Sequence, residues 1–588
     1  MILQALTSLY EALAQKGEIS KEGWSRKKIS FALSIDEEGN LLRVTPLFDT
    51  VDGPKGKTRE VPQKMTVPAA VKRTSGAAAN FLWDNSSYIL GVSLKKGEDD
   101  AEREKRRNKD IKCFEACREL HHSMLDGMEY PAAKAVLNFL DKWEPQKAEE
   151  NNLVAQYAKE ILSGANMVFR FNGGYVHDDP QLASVWQKAN AKQKDNIGQC
   201  LVTGALDEIQ NTHPTIKGVQ GAQSSGAALV SFNASAFCSY NKEQNQNAPV
   251  GKYAAFAYTT ALNHLLADKS NVHRIGDAAV VCWAENADKQ YEDFAAEVFF
   301  GDNVDKSDEQ RLSALRTSLK LLADGLPCKE MDLDPDRKFY ILGLSPNAAR
   351  LAVRFFYCDS FGKIAGNIYK HHERLEIVRP SYDKFPILPL WKLLSATVNP
   401  NAKDKTPNAA MAGAVARAVF SGGRYPASLL ECTFLRIKAE RNITRERAAI
   451  IKAYYLRNPN EKCPKEVLTV SLNENSKNIP YTLGRLFSVY EEIQQAANPG
   501  INTTIKDRYF GSAAAMPATV FPILSNLAQK HLRKLSDAQR VYLDKKVMTL
   551  KSVLGEQYPA HMSLPEQGSF DLGYYHQTQA RYTKKEDK

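Results

Sequence analysis

The residue pattern changes near residues 399–410, and this change most constrains what the chain can fold into. Before it, GDAAVVCWAEN (276–286) and RKFYILGLSP (337–346) are typical of buried strands. After it, helix formers dominate ECTFLRIKAERNITRERAAIIKAYYLRN and SNLAQKHLRKLSDAQRVYLDKKVMTLKSVLG. The segment between them is polar and contains prolines, as linkers often do. We therefore predict an α+β fold with a mixed body at 1–400, a linker at 401–410 and a helical bundle at 411–588.

Smaller patterns refine this division. The 588 residues exceed what one hydrophobic core supports, so several domains are expected. Apolar residues at helical spacing predict an N-terminal amphipathic helix, and alternating apolar segments predict strands between residues 20 and 50. VDGPKGKTREVP (51–62) predicts an irregular loop, and residues 97–165 predict helices. Thr444 is expected to cap a helix N-terminus.

The positive charge is concentrated in the last third of the chain. The net charge is +10, and residues 417–588 hold 26 basic and 16 acidic residues, which leaves the remainder balanced. A local basic excess favours a polyanionic partner, because concentrated charge gains from counterion release. A solvated helical surface is the alternative. The chain shows no signal-peptide pattern and no membrane-length apolar run, and its nine cysteines are scattered, so we expect a cytoplasmic protein.

A search for catalytic motifs finds one candidate metal site. In CFEACRELHH, the residues Cys113, Cys117 and His121 lie on one helical face, and His122 follows. One continuous helix does not readily wrap four ligands around zinc, so we favour buried cysteines and surface histidines. Phosphate-loop, HExxH and GxSxG motifs are absent, and no base can be assigned to a nucleophilic Ser224 or Ser225. The sequence predicts no enzyme, cofactor or metal, with a zinc-dependent nuclease or nucleic-acid-modifying enzyme as the alternative.

Three polar blocks combine small residues with hydrogen-bonding and basic side chains. They are VKRTSGAAANFLWDNSSYILG (71–91), KGVQGAQSSGAALVSFNASAFCSYNKEQNQNAPV (217–250) and LGLSPNAARLAVRFF (342–356). Small residues let a backbone approach a nucleic acid, basic side chains meet phosphate and amides can read bases. In the third block we predict a helix that carries Arg350 and Arg354 on one face. The alternatives are a capped, glycine-bearing surface loop for the first block, a satisfied buried turn for the second and a structural ion-pair role for the third.

These blocks carry a resemblance to a known family. RTSGAAANFLWDNSSYILG, GAQSSGAALVSFNASAFCSYNKEQNQNAP, LSPNAARLAVRFF and the later NIPYTLGRLFSVYEEIQQAANPGINTTIKDRYFGSAAAMPATVFP resemble the large subunit of the type I-C CRISPR Cascade. The match keeps the same order over most of the chain, although residues 51–70 and 95–112 match only loosely.

The resemblance implies a non-catalytic subunit of an RNA-guided surveillance complex. Such subunits recognise the protospacer-adjacent motif in double-stranded DNA, promote R-loop formation, hold the displaced strand and help recruit a separate helicase-nuclease. The implied partners are guide-RNA-bearing backbone subunits, a small subunit, the DNA target and that nuclease. The residues expected to contact nucleic acid are Lys72, Arg73, Ser75, Asn80 and Asn85; Gln220, Gln223, Ser224, Ser225 and Lys242; Arg350 and Arg354; and two basic clusters, Arg436, Lys438, Arg441, Arg445 and Arg447, and Arg533, Lys534, Arg540, Lys545 and Lys546.

The resemblance also implies that the small subunit is made by internal initiation within the same message. A polar, proline-bearing break at 458–466 precedes a new apolar pattern, so Val467 or Leu468 is the candidate first residue. A product from Val467 has 122 residues, enough for a small basic bundle. Met411 is the nearest upstream ordinary start, and a simple interhelix loop is the alternative interpretation of 458–466.

Overall fold

The computed structural model describes residues 1–52, 58–71, 73, 76–95, 97–190, 196–232, 234–301 and 309–582. Both element types are mixed before residue 361 and only helices follow it, which confirms the predicted α+β class. The strands are β1 (Trp24–Ile29), β2 (Phe31–Ile35), β3 (Leu41–Pro46), β4 (Phe48–Asp52), β5 (Thr58–Pro68), β6 (Trp83–Asn85), β7 (Asn166–Phe171), β8 (Gly174–Tyr175), β9 (Ile197–Gln199), β10 (Leu206–Glu208), β11 (His273–Ile275), β12 (Ala278–Ala284), β13 (Lys338–Asn347) and β14 (Arg350–Ser360).

The α-helices include the predicted N-terminal helix and the predicted helices between residues 97 and 165. No helix within the described ranges has both the length and the apolar character needed to span a bilayer. The helices are α1 (Ile2–Gln15), α2 (Ser86–Ile89), α3 (Asp100–Leu125), α4 (Pro131–Lys142), α5 (Asn152–Ala155), α6 (Ala158–Ile161), α7 (Pro180–Asn190), α8 (Lys252–Ala267), α9 (Lys289–Ala295), α10 (Glu309–Ala323), α11 (Phe361–Leu375), α12 (Leu390–Ser395), α13 (Ala409–Ser421), α14 (Ala427–Glu440), α15 (Arg445–Arg457), α16 (Ile479–Ala497), α17 (Ile505–Ala515), α18 (Pro517–Leu532), α19 (Asp537–Lys551) and α20 (Leu564–Ala580).

The chain forms two compact units. The N-terminal unit comprises Tyr10–Thr212 and Phe232–Ala261, and the C-terminal unit comprises Met1–Leu9, His213–Ser231 and Leu262–Lys588. The linker predicted at 401–410 does not lie between these units. Helix α13 begins at Ala409, inside the predicted linker, and packs on strand β14 within the C-terminal unit, because the apolar face of that sheet needs a helical cover.

Two larger sheets build the N-terminal unit, which also contains the two-stranded antiparallel pair β9–β10. One has the order β3–β2–β7–β6, with β8 beside β7 and a parallel β2–β7 pair, and its core includes residues from α3 and α4. The other has the order β1–β5–β4 and is antiparallel. The strands predicted between residues 20 and 50 are therefore confirmed. The irregular loop predicted at 51–62 is wrong at both ends, where β4 and β5 pair with each other; residues 53–57 lie outside the described residues.

An antiparallel sheet in the order β11–β12–β13–β14 anchors the C-terminal unit. The predicted strands at 276–286 and 337–346 are confirmed as β12 and β13. The helix predicted within 342–356 is wrong, because the segment is the β13–β14 hairpin. Leu351, Val353 and Phe355 could be read with a helical or a strand period, and pairing with β13 decides for the strand.

Beyond the sheet, the C-terminal unit is helical, as predicted for this part of the chain. Thr444 caps α15, and its hydroxyl accepts a hydrogen bond from the Arg447 backbone N–H at 3.4 Å, which confirms the predicted cap. Helices α16 and α20 pack with their backbones in close approach. Any side chain at Gly484 would collide with the Phe570 carbonyl, and one at Gly573 with the Tyr481 carbonyl, so glycine is required at both crossings.

Candidate nucleic-acid interface

The first polar block runs from the end of β5 through a loop into β6 and α2 in the N-terminal unit, and buried Asp84 on β6 organises the loop. The Asp84 carboxylate accepts hydrogen bonds from the backbone N–H groups of Asn80 at 2.9 Å and Asn85 at 2.8 Å, and it pairs with the Arg73 guanidinium. Burial raises the pKa of the Asp84 carboxyl, while the Asn80 N–H and Arg73 act against that rise. Lys72 and Ser75 lie outside the described residues.

Two further contacts hold Arg73 in this loop. Its Nε donates to the Ala78 carbonyl at 2.7 Å, and its guanidinium lies 3.9 Å from the centre of the Tyr88 ring. Its side chain keeps 30% of its exposure, against 1% for Asp84. Arg73 therefore neutralises an internal carboxylate, which leaves only the exposed edge of the guanidinium for a phosphate.

The two asparagines of the block also have local partners. Asn80 is buried, and its side-chain oxygen accepts from the Val71 N–H at 2.9 Å, so its amide holds the loop rather than facing solvent. Asn85 caps α2, with its side-chain oxygen accepting from the Ser87 N–H at 3.1 Å. Asn85 is only partly buried and lines a groove, whereas Asn80 does not.

That groove is the strongest candidate site for a nucleic acid in the N-terminal unit. It has a volume of about 650 Å³ and runs between the 85–95 segment, the start of α3 and residues 162–164. Exposed lysines at its edge form no ion pair with an acidic residue in the described part of the chain. The polar residues that line it are Arg73, Asn85, Ser87, Ser93, Lys95, Glu98, Lys105, Arg106, Lys109 and Asp110.

Arg106 fixes the floor of this groove. Its guanidinium lies 2.7 Å from the Glu98 carboxylate and 3.5 Å from that of Asp110, and it also donates to the Ser93 carbonyl. Two carboxylates therefore neutralise this arginine. The net positive charge of the groove comes from Lys95, Lys105 and Lys109, with Lys105 and Lys109 one turn apart on α3.

Sequence reasoning missed these three lysines. For Lys105 and Lys109 the signal was present in GEDDAEREKRRNKD (97–110), where acidic and basic residues are interspersed; Lys95 lies before this segment. Composition does not show which basic residues the carboxylates neutralise. The contacts of Arg106 supply that information.

The candidate zinc residues have structural roles in the same unit. The His121 ring accepts from the Leu82 N–H at Nε2 (2.9 Å) and donates from Nδ1 to the Cys117 carbonyl (2.7 Å). Burial lowers the His121 pKa to about 4 and raises the pKa of the buried Cys113 thiol. His122 points elsewhere, between the carboxylates of Asp126 (2.8 Å) and Asp141 (2.9 Å), which raise its pKa.

Backbone groups thus use both ring nitrogens of His121, and the four residues do not converge. The described residues contain no group of three or more potential metal ligands. The arrangement gives no support to the zinc-dependent alternative.

The second polar block is divided between the two units. Gln220, Gln223, Ser224 and Ser225 belong to the C-terminal unit and are exposed, and the Gln220 side chain accepts from the Arg274 guanidinium at 2.8 Å. Lys242 belongs to the N-terminal unit and is exposed. The sequence presents these residues as one string, but the fold does not keep them in one compact unit.

Arg350 and Arg354 lie on β14 rather than on a helix. Residues four apart are about 13 Å apart along a strand, compared with about 6 Å along a helix, so the predicted placement of both arginines on one helical face is wrong. Arg354 lies at the register shift of the hairpin and pairs with Asp277 at 2.8 Å. This contact supports the structural ion-pair alternative for Arg354.

The first basic cluster of the predicted bundle is not a single exposed surface. Arg445 is buried and bonds to Asp383 (2.9 Å) and to the Pro386 carbonyl (3.1 Å). Arg447 is buried and bonds to Glu440 (2.6 Å) and to the Ala396 carbonyl (3.2 Å). Of the other members, Arg436 lies 3.6 Å from Glu440, while Lys438 and Arg441 are exposed. The prediction of one DNA-facing cluster is therefore wrong.

The second basic cluster is exposed and accompanied by aromatic and apolar side chains. We call the α19 surface the set Arg533, Lys534, Lys545 and Tyr542, all of which are exposed. Arg540 pairs with Asp537 at 2.8 Å, and Lys546 lies 3.5 Å from Glu492 and 4.4 Å from the Tyr542 ring centre. The cation beside the Tyr542 ring is the half-buried Lys546, and the exposed cations lie elsewhere on this surface. Exposed cations together with an exposed aromatic ring are the combination that single-stranded nucleic acids use for phosphate contact and base stacking.

A comparison with protein families decides what kind of protein this is. The family described as "CRISPR-associated protein (Cas_Csd1)" matches residues 6–582, which is nearly the whole chain. The chain belongs to the Cas_Csd1 family. The match supports the resemblance that the polar blocks carry, at the level of a CRISPR-associated protein. No curated protein matches.

In this Cas_Csd1 chain, the candidate internal start lies in a loop that is packed rather than free. Val467 and Leu468 are buried, and Val467 ends a short 3₁₀ turn. The preceding residues attach to α20: the Ser569 hydroxyl donates to the Lys462 carbonyl at 3.2 Å, and Lys462 lies 3.6 Å from Glu566. Helices α16 to α20 pack on one another, and their buried side chains belong to the same core as the rest of the C-terminal unit.

Proposed function

We propose that this Cas_Csd1 chain is the non-catalytic DNA-recognition subunit of an RNA-guided surveillance complex of the type I-C class. The observation that supports it best is the groove of the N-terminal unit, with its three unneutralised lysines beside the loop that Asp84 organises. A duplex carries closely spaced phosphates, and lysines without internal carboxylate partners gain most from meeting them.

In this proposal, the groove binds the duplex that carries the protospacer-adjacent motif. Lys95, Lys105 and Lys109 contact phosphates and set the orientation, while Asn85 and Ser87 at the groove wall are the candidates to read base edges. The Asp84–Arg73 pair keeps the loop in position. Sequence readout of the target itself belongs to the guide RNA, as in other RNA-guided systems.

The α19 surface then holds the displaced strand. Its cations contact the backbone, and Tyr542, which is 59% exposed, is available for a base to stack on it. Guide-RNA-bearing backbone subunits are the proposed partners in assembly, and the opened site is presented to a separate helicase-nuclease. A 467–588 product of the same message is proposed as the small subunit.

The proposal is tested with guide-loaded complex and duplex targets whose adjacent motif is intact or scrambled. Wild-type complex should bind the intact target more tightly. The double variant Lys105→Glu/Lys109→Glu should weaken binding to both targets and reduce the slope of log K against log salt by at least about 2, about 1 for each lost phosphate contact. Lys112→Glu is the matched control, because Lys112 is exposed on the same helix but does not line the groove.

Wild-type complex that does not discriminate between the targets would refute the recognition role. Discrimination with an unchanged salt slope in the double variant would refute the groove as the binding site.

A further inference from the structure

The face of the β1–β5 pair that points to solvent carries cations in an unfavourable arrangement. Side chains alternate between exposed and more buried over residues 26–29 of β1 and 64–67 of β5, with Arg26, Lys28, Lys64 and Thr66 exposed. In the antiparallel register, Lys28 lies directly opposite Lys64, and Arg26 lies opposite Thr66. Directly opposite residues have Cβ atoms about 5 Å apart, and next-but-one residues on a strand lie about 7 Å apart.

The core fixes which residues face outward. On the opposite side of the same strands, Ile29 and Val67 are buried in a cluster with Trp83 and Val168, and Met65 packs against it. A register slip of one residue would exchange these apolar side chains for lysines. The three cations are therefore held on one face by the packing of the other.

In the part of the chain that the structure describes, no carboxylate forms an ion pair with these cations. Among the described residues, none pairs with Arg26, Lys28 or Lys64; Arg26 only donates to the Glu18 backbone carbonyl, at 3.4 Å. Glu60, on the same face of β5, is four residues from Lys64, about 13 Å along the strand. Like charges directly opposite each other destabilise a sheet, so this pair opposes folding unless an anion bridges it.

We propose that this face, which we call the β1–β5 face, binds the phosphate backbone of duplex DNA. Duplex DNA carries about one negative charge per 1.7 Å of its axis, which is twice the charge density of a single strand. Three cations within about 7 Å of one another match the higher charge density of the duplex better than that of a single strand. Single-strand surfaces add aromatic stacking, and no described residue of this face offers a fully exposed ring; Trp24 is partly buried against the core.

This inference rests on the proposed function and extends it, because it adds a phosphate contact outside the groove. It implies that Lys28 and Lys64 contribute to binding whatever the base sequence. They should therefore affect intact and scrambled targets equally, in contrast to residues that read the adjacent motif.

The test compares guide-loaded complexes made with wild-type chain, Lys28→Thr/Lys64→Thr, and Lys134→Glu. Threonine suits an exposed strand and removes the like-charge pair, so the double variant should unfold at the same or a higher temperature than wild type. It should also lower the salt slope of duplex binding by about 2 for both targets. Lys134 is an exposed residue of α4 paired with exposed Glu129, and its reversal should leave the slope unchanged.

If wild-type complex prefers the intact target and the threonine variant binds duplex with an unchanged salt slope, the inference is overturned and the proposed function stands. Loss of wild-type discrimination would count against the proposed function instead. A variant complex that contains less guide RNA than wild type, yet binds duplex with the wild-type slope, would assign the face to RNA and overturn the duplex proposal. A threonine variant less stable than wild type would overturn the argument from the like-charge pair.

Discussion

Arg73→Met should loosen the recognition loop without removing a phosphate contact. The change leaves Asp84 buried at 1% exposure without its cation and deletes the bond to the Ala78 carbonyl and the contact with Tyr88. Breaking a fully buried pair costs about 3 to 5 kcal/mol. Because Arg73 is partly exposed and two N–H groups still bind Asp84, we expect about 2 kcal/mol.

Amide hydrogen exchange measures this loss locally, which matters because a two-unit chain need not unfold in one step. A cost of about 2 kcal/mol should speed exchange of the Asn80 and Asn85 amides about 30-fold. Arg103→Met is the matched control, because Arg103 is exposed and lies 3.6 Å from a fully exposed Asp100. It should change exchange less than about twofold, since such a pair is worth under about 0.5 kcal/mol.

Binding distinguishes this structural role from direct contact. Arg73→Met should weaken target binding while the salt slope stays at the wild-type value. A slope reduced by about 1 would show that Arg73 meets a phosphate. Unchanged exchange in Arg73→Met would refute the assignment of Asp84 as the organiser of the loop.

Three further predictions concern the bundle, the message and pH. Charge reversal across the α19 surface should leave thermal stability unchanged and reduce retention of the displaced strand at rising salt more than motif recognition; equal loss of both DNA steps would refute this. Arg445→Met should instead cost about 2 kcal/mol in denaturation, because Asp383 loses Arg445 and keeps Lys392, at 3.2 Å, as its remaining cation. Intact-mass analysis of the purified complex should detect a product beginning at Val467 or Leu468 that disappears on synonymous recoding of codons 455–468; full-length chain alone, with normal DNA opening, would refute internal initiation. In the folded chain the His121 ring stays neutral until the pH falls to its pKa of about 4, whereas in the unfolded chain it takes up a proton near pH 6.5. The stability that this difference contributes to the N-terminal unit is therefore fully present above pH 6.5 and should decrease by about 3 kcal/mol as the pH falls to 4. Exchange of the Leu82 amide, which donates to His121, measures this change, and a flat pH profile would contradict it.

The sequence predicted element types well and side-chain directions poorly. Strands β12 and β13 followed from continuous apolar runs, and the α15 cap followed from Thr444, because both signals are local. The β13–β14 hairpin was mistaken for a helix, since short apolar runs fit both periods and only pairing between distant residues decides. Asn80 shows the same limit at the site, because nothing local indicates that its amide faces the Val71 N–H.

Buried basic residues are mostly arginines and exposed ones without partners are mostly lysines, and the chemistry of the two side chains explains this difference. Arg445, Arg447 and Arg485 are buried and each binds backbone carbonyls, because a planar guanidinium can satisfy several acceptors at once. Lysine ammonium groups are compact and strongly hydrated, so they remain at the surface unless a site is built for them.

Lys452 is a buried exception, because the fold provides acceptors for its ammonium group. It donates to the carbonyls of Glu373 and Arg374, and burial lowers its pKa to about 8. The cations that remain for a polyanion are therefore largely lysines without carboxylate partners, as in the groove and on the β1–β5 face. A count of basic residues cannot identify them, because it weighs an internal arginine and a free lysine equally. The internal arginine differs from the free lysine because groups within the fold, such as a carboxylate, already neutralise its charge.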